Sequence, residues 1–367
     1  MFHIDLPTSS EYRDLSQVRS DACVSIYIPT TPVTQNVGAS RIDFGNQITA
    51  ALDQLRSIDF DKRRLADLEE QLVHVREDDE FWRLQANSLA VLATPDSVRT
   101  FRLANKLTHL LEVSDRFHLK PLLRAITFPH AAFILALSDH HVRLIEMSAD
   151  LAPEVVTVSD MPKDISSIGK IEGTRPQHGD GGHKIRQAQY ARRIDQALRR
   201  VLANFNLPLV LAATQPLYGI YRSVNSSANL LAEGISVSPD RMTPAELAAE
   251  ARPLLDQYYK GMIADVKDLY RQRKEERRAI SDLAQAARAA TFGQIDTMLA
   301  DIDEIVHGTV DDATGAITFG EEGPSTYGIG DEIANRVIAH GGKVLGVRKE
   351  DLPEGGALAA ILRFPMA

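Results

Sequence analysis

Hydrophobic positions along the first 125 residues recur at strand spacing and then at helix spacing. Val24, Ile26 and Ile28 alternate with Cys23, Ser25 and Tyr27, which predicts a strand ended by Pro29 and Pro32. Phe44, Ile48, Ala51, Leu52 and Leu55 then fall three or four apart, as do Leu65, Leu68, Leu72 and Val75, so each set predicts an amphipathic helix. Residues 89–93 and 98–103 read as a hairpin around Thr94-Pro95-Asp96-Ser97.

A second pattern begins near Phe128-Pro129. Residues 131–137 and 142–147 are apolar strands joined at Ser138-Asp139-His140-His141, and 155–158 predict a third strand. From Ser159 to about Arg186 periodicity stops, and Gly169, Gly173, Gly179, Gly181 and Gly182 predict a long loop, a feature that is usually functional or disordered. Ala191, Ile194, Leu198, Val201, Leu202 and Phe205 then share one helix face, and 207–213 predict a buried strand.

Thr243-Pro244-Ala245-Glu246 is a helix start, with Thr as cap, Pro in the first turn and Glu three residues beyond the cap. The stripe Leu247, Leu254, Leu255, Tyr258, Met262, Val266 and Leu269 predicts a long connector helix that Pro253 kinks or splits. Ile280, Leu283, Ala284 and Ala287 predict a further helix and 295–300 a strand. Asp312-Ala313-Thr314-Gly315 predicts a turn. Ile329, Ile333, Val337 and Ile338 predict a helix stopped by Gly341-Gly342, with strands over 344–347 and 358–364. The fold class is α/β with mixed (α+β) character. At ~150 residues per domain, 367 residues make two or three domains. The pattern places boundaries at 1–127, 128–243 and 244–367.

Composition narrows the picture. Hydrophobic residues are 44% and charged residues 25%, as in ordinary globular proteins. The longest apolar runs are seven residues, far short of the ~20 needed to span a bilayer. The start Met1-Phe2-His3-Ile4 lacks a basic region followed by an apolar one, so no signal peptide is expected. The single cysteine, Cys23, sits in a predicted strand as a small buried hydrophobe and fits a reducing cytoplasm. Trp82 is expected in the core or an interface, and His140-His141 in an exposed turn. There is no P-loop, dinucleotide fingerprint, nucleophile elbow or His-Glu-x-x-His, so no cofactor is expected.

The net charge of −9 argues against a nucleic-acid binder only as an average. Residues 170–200 hold eight basic side chains against three acidic ones. Residues 295–334 hold ten acids and no Lys or Arg. A second basic run, Lys267 to Arg278, includes Asp268, Glu275 and Glu276 and reads as an exposed helix face with internal ion pairs.

The last segment carries a family resemblance. Residues 284–300 (AQAARAATFGQIDTMLA), 339–347 (AHGGKVLGV) and 354–365 (EGGALAAILRFP) resemble, in order, a helix-to-strand entry, a helix end with its strand, and a closing strand. All three belong to the C-terminal domain of archaeo-eukaryotic class I release factors and Pelota. The strand in DACVSIYIPT (21–30) resembles the start of bacterial members. The resemblance implies an RNase H-like middle domain with a mixed sheet and a C-terminal α/β/α sandwich. It also implies a Gly-Gly-Gln loop before a basic helix. Here the triplet is Gly181-Gly182-His183, and no Gly-Gly-Gln occurs in the chain. Gln-dependent peptidyl-tRNA hydrolysis therefore does not carry over, whereas ribosome binding without hydrolysis does, as in Pelota.

The segment from His178 to His183 supports several readings. Gly181, Gly182, His183, Lys184, Arg186, Arg192, Arg193, Arg199 and Arg200 form a candidate RNA contact, because glycines allow close approach and the cations meet phosphates. His178, Asp180 and His183 are candidate catalytic residues, His183 as a general base, or metal ligands, although their spacing matches no standard zinc signature, and no metal is expected. The bland alternative is a solvated loop. Asp301, Asp303, Glu304, Asp311 and Asp312 are candidate partner-binding residues, and the resemblance implies a translational GTPase as that partner. The leading expectation is a cytoplasmic, ribosome-associated factor that binds rRNA or tRNA near the A site for rescue, hibernation or release, with no membrane contact. It is read as a binder rather than an enzyme; any activity would be peptidyl-tRNA ester hydrolysis. The alternatives are a hydrolase or nuclease using the His/Asp loop and a protein-interaction adaptor.

Overall fold

The computed structural model describes residues 5–148, 152–168, 180–203 and 207–365. The chain is mixed α/β and divides into two compact units. One is His130–Gly261; the other joins residues 1–129 with 262–367.

The N-terminal segment opens with α1 (Ser9–Gln17), capped by a reciprocal Thr8–Glu11 box. It continues through β1 (Cys23–Pro29), α2 (Val37–Ser57), α3 (Lys62–Glu77) and α4 (Asp79–Arg83). Then come β2 (Ser88–Thr94), β3 (Ser97–Leu103), β4 (Leu110–Ser114) and α5 (Lys120–Thr127). The strands form an antiparallel sheet in the order β3-β2-β1-β4. Its hairpin turns at the expected Thr94–Ser97.

Both faces of β1 and β2 are buried. Val24, Ile26, Ile28, Leu89, Val91 and Ala93 pack with Phe44, Ile48, Leu52 and Leu68 of α2 and α3, and with Trp82. The alternate residues Cys23, Tyr27, Ala90 and Leu92 belong to a different core, shared with Ile329, Ile333 and Met298 from the far end of the chain. A sheet apolar on both faces needs two covering layers. The expected first segment, 1–127, therefore packs through one core with residues from Ile280 onward, whereas residues 244–261 of the expected third segment belong to the other unit.

The other unit begins with β5 (Ala131–Leu137), β6 (Val142–Ser148) and β7 (Glu154–Val156), followed by α6 (Asp180–Leu202), β8 (Leu209–Ala212) and α7 (Leu217–Val224). The sheet order is β7-β6-β5-β8, with β8 parallel to β5 and the other pairs antiparallel. The outer side of β8 is bridged by Leu230 and Ile235, so it is not a bare edge. The buried face of α6 carries Tyr190, Ala191, Ile194 and Leu198. Phe205, Gly169, Gly173 and Gly179 lie outside the described residues.

One expectation is corrected here. The glycine-rich loop does not extend to Arg186, because α6 starts at Asp180 and its first turn contains Gly181, Gly182 and His183. Two glycines in a helix cost ~1 kcal/mol each relative to alanine. The 23-residue length and apolar inner face of α6 outweigh that local preference.

Helix α8 (Pro244–Glu275) starts at the predicted Thr243–Glu246 capping box and runs unsplit through Pro253. The missing proline N–H costs about 3 kcal/mol, a local loss within a 32-residue helix. The C-terminal segment continues with β9 (Ala279–Ile280), α9 (Leu283–Thr291), β10 (Ile295–Asp301), β11 (His307–Val310), β12 (Ile317–Phe319) and β13 (Tyr327–Gly328). It ends with α10 (Ile329–Ala339), β14 (Lys343–Val347) and β15 (Leu358–Leu362). Ile280, expected in a helix, lies in β9 and pairs with Ala360. One sheet runs β14-β10-β15-β9 with mixed pairing, and a small antiparallel one runs β12-β11-β13. Gly315, at φ +68° in the β11–β12 turn, and Gly341, at φ +73° after α10, adopt the left-handed backbone that glycine favours.

Candidate nucleic-acid interface

The 3.6-residue period of α6 sorts its side chains. Gln187, Tyr190, Ala191, Ile194, Asp195 and Leu198 point inward and are buried. Arg186, Arg192, Arg193, Arg199 and Arg200 are exposed, as is Lys184. Arg186, Arg193 and Arg200 are seven residues apart and form one row about 10 Å per step; Arg192 and Arg199 form the neighbouring row. Arg199 is held by the buried Asp195 at 3.0 Å and by Ser226 at 2.7 Å, and Arg200 meets Asp160 at 3.2 Å in an exposed pair. Lys184, Arg186, Arg192 and Arg193 pair with no carboxylate among the described residues. The structure therefore gathers the five predicted arginines on the outer side of one rigid helix, which suits cation–phosphate contact.

The remaining candidates of this stretch separate. His178 lies outside the described residues, and Asp180 and Gly181 are located only as the backbone of the first turn of α6. His183 lies close to the sheet: its Nε2 is 3.0 Å from Asp139 Oδ2. Gln187, one turn further on, donates from Nε2 to Asp139 Oδ1 and Oδ2 at 3.0 and 3.1 Å. Tyr190, on the same face, is completely buried, and its hydroxyl has no hydrogen-bond partner among the described residues. Burial pushes that phenol up, reinforced by the carboxylates of Asp164, Asp139 and Asp240. Asp164 is itself held down by hydrogen bonds from Ser166 and Ser167. No group of three or more His, Cys, Asp or Glu is arranged to hold a metal ion among the described residues.

Asp139, Gln187 and Tyr190 were not singled out by the sequence. The available signal was position: Asp139 lies two residues past the carboxyl end of β5, in the Ser138–His141 turn, where α/β sheets commonly gather ligands. That turn is fixed by Ser138, which accepts from the His140 and His141 backbone N–H groups at 3.2 and 3.0 Å and also bonds Asp240.

The acidic candidates do not form one surface. Asp301 is buried at 2% exposure, with Oδ1 accepting from Asp303 N, so it cannot face a partner. Glu304 pairs with Lys349 at 3.1 Å and Asp312 with Arg336 at 2.6 Å. Asp311 closes its own turn by accepting from Thr314 N at 2.7 Å. Asp303, Asp311 and Asp312 remain exposed. Asp331 and Glu332, counted in the same acidic stretch, are buried. The second basic run is spent largely on pairs, Arg271–Asp268, Arg273–Glu276 and Lys274–Glu354, as expected of an ion-paired helix face. Cys23 is buried, and burial pushes its thiol up to about 12.

Residues 129–261, the unit carrying α6, match the family model described as bacterial archaeo-eukaryotic release factor family 11. No curated protein matches the sequence. Among solved structures, Dom34 of S. cerevisiae is similar at 14% identity, over 76% of this chain and 74% of that one, with a TM-score of 0.43. A ribosome-bound archaeal Pelota is similar at 14% identity, over 76% and 78%, with a TM-score of 0.41. An archaeal termination factor, aRF1, is similar at 13% identity over 98% and 99%, with a TM-score of 0.24. No helix among the described residues is long and apolar enough to cross a membrane.

Proposed function

We propose that this protein is a cytoplasmic, ribosome-associated translation factor of the release factor/Pelota type. It binds near the A site and acts in rescue, hibernation or release without Gln-dependent peptidyl-tRNA hydrolysis. The observation that carries this reading is the exposed arginine face of α6, Arg186, Arg192, Arg193, Arg199 and Arg200, within the segment that matches the release factor family. A helix held on its inner face by an apolar core presents cations at fixed spacing, so little side-chain scaffold has to be ordered on binding phosphate. Gly181 and Gly182 in the first turn let rRNA or tRNA approach the backbone there. In this reading the chain has three functional domains, 1–127, 128–243 and 244–367, the first and last sharing a core. Asp303, Asp311 and Asp312 of the last one meet a protein partner such as a translational GTPase.

Co-sedimentation with purified 70S ribosomes through a sucrose cushion tests the reading. Association at low salt that is lost as salt rises supports it. No association at low salt, with ribosomes from growing or from stressed cells, removes it.

A further inference from the structure

We propose that Asp195 is a positioning residue that holds the Arg199 guanidinium on α6 as a ready fork for an RNA phosphate. The RNA class rests on the translation-factor reading above; the fork itself rests on geometry. Asp195 and Arg199 lie about one turn apart on α6. Asp195 Oδ2 accepts from Arg199 Nε at 3.2 Å and from Nη2 at 3.0 Å, so the carboxylate occupies one edge of the planar group. Nε also donates to Ser226 Oγ at 2.7 Å. Among the described residues no hydrogen bond uses Nη1. The edge between Nη1 and Nη2 therefore keeps a parallel pair of N–H donors, the pair that matches two oxygens of one phosphate.

Asp195 is fixed in turn. Its side chain is 5% exposed against 63% for Arg199, so the pair runs from the interior to the surface. Oδ1 accepts from Ser226 N at 2.9 Å, and the Ser226 hydroxyl lies 3.1 Å from Oδ1 and 2.9 Å from Oδ2. That loop is closed by Asn225, which donates to Ser227 O at 2.8 Å and accepts from Ser227 N at 3.2 Å. A buried carboxylate stripped of its cation is costly, so Arg199 stays on Asp195 before any RNA arrives. The neighbouring arginines differ. Arg186, Arg192 and Arg193 are exposed without a carboxylate partner among the described residues, and each gives up rotamer freedom when it meets a phosphate. Arg200 meets Asp160 in an exposed pair, which holds it weakly.

Charge alone makes the opposite prediction. Asp195 is an acid beside a cationic face, so removing its charge tightens RNA binding if Coulomb attraction is the whole effect. If Asp195 orients Arg199, removing its charge weakens binding. In Asp195→Asn the amide oxygen still accepts from Ser226 N. The amide N–H groups then face the Arg199 donors and release them.

The test measures Kd for purified 70S ribosomes by co-sedimentation at one low salt concentration, with thermal midpoints as the fold control. The proteins are the full wild-type chain, Asp195→Asn, Arg199→Ala, Arg199→Lys and the double variant Asp195→Asn/Arg199→Ala. Each single variant should bind on the order of tenfold more weakly; lysine keeps the charge but has no fork. The double variant should bind no more weakly than Arg199→Ala, because Asp195 acts through Arg199. Asp195→Asn that binds as well as wild type, or better, overturns the proposal. So does a further loss in the Arg199→Ala background, which would make Asp195 a support of the fold only. Should Asp195→Asn lose its thermal transition, Arg199→Lys decides: the tenfold loss supports the fork and wild-type affinity overturns it. Wild type that does not co-sediment removes the ribosome reading instead. A short fluorescent RNA duplex, read by anisotropy with the same proteins, then decides: the same ranking supports the fork, and another ranking or no wild-type binding overturns it.

Discussion

Asp331 of α10 caps α5 from across the chain: its Oδ1 accepts from the backbone N–H of Lys120, and from that of Leu119, each at 2.7 Å. Leu119 occupies the cap position and has no side-chain acceptor of its own. Asn335 donates to the other Asp331 oxygen at 3.1 Å and accepts from Tyr12 of α1 at 3.0 Å. Lys120 Nζ donates to the carbonyls of Asp301, at 2.8 Å, and Glu304. Glu332, next in sequence, pairs with Arg116 at 2.7 Å and Arg336 at 2.8 Å. The N- and C-terminal segments are thus joined by buried polar groups as well as by a shared core.

Replacing Asp331 by Ala leaves two buried N–H groups unpaired, a cost of about 1–3 kcal/mol each. The urea midpoint should fall clearly. Asp331→Asn keeps an acceptor oxygen and should lose much less.

Burial pushes the Asp331 carboxyl up to about 7, against 3.8 for a free aspartate. In the window between these values the folded protein holds a proton that the unfolded chain releases. Its contribution is therefore complete below about pH 4 and is lost as pH rises through about 7. The stability difference between wild type and Asp331→Asn, from urea melts at pH 4 to 8, should shrink toward pH 7 and then level. A difference that grows over that range contradicts the assignment.

Gly346 of β14 lets α5 approach backbone to backbone. A Cβ there would lie 2.8 Å from Arg124 N and 3.1 Å from Arg124 Cα. Gly346→Val should cost about 1–3 kcal/mol by overpacking, read as a lower thermal midpoint. Gly323, with nothing within 4 Å of a built Cβ, is the control and should tolerate alanine.

Cys23 should resist iodoacetamide at pH 8 in the native protein and react only on unfolding. Burial both blocks access and disfavours its thiolate. Fast native labelling would show that β1 opens.

Much of this fold was legible from periodicity, because most elements bury one face and leave a regular stripe. The second buried face of β1 and β2 was also written in the sequence, in Cys23, Tyr27, Ala90 and Leu92, but its covering layer lies some 200 residues away in sequence. No local pattern reports such a contact. The start of α6 was hidden by Gly181-Gly182, whose local preference for a loop gives way to the packing of the following turns. The Asp139–His183 pair spans 44 residues, so only the folded sheet and helix bring it together. The arginine face was legible throughout, since its spacing lies within a single helix.

Arg192→Ala and Arg193→Ala together should weaken ribosome binding and flatten its salt dependence. For RNA contacts the slope of log K against log salt changes by about 0.7 for each phosphate contact removed, so roughly 1.4 for the pair. Weaker binding with an unchanged slope would mean that these arginines act by packing.

The most direct test of the account is a cryo-EM map of the full chain on the 70S ribosome. The expected result is density near the A site with the Arg186–Arg193–Arg200 row of α6 against rRNA or tRNA phosphates. Density that places α6 in solvent, or the protein away from the A site, would contradict it.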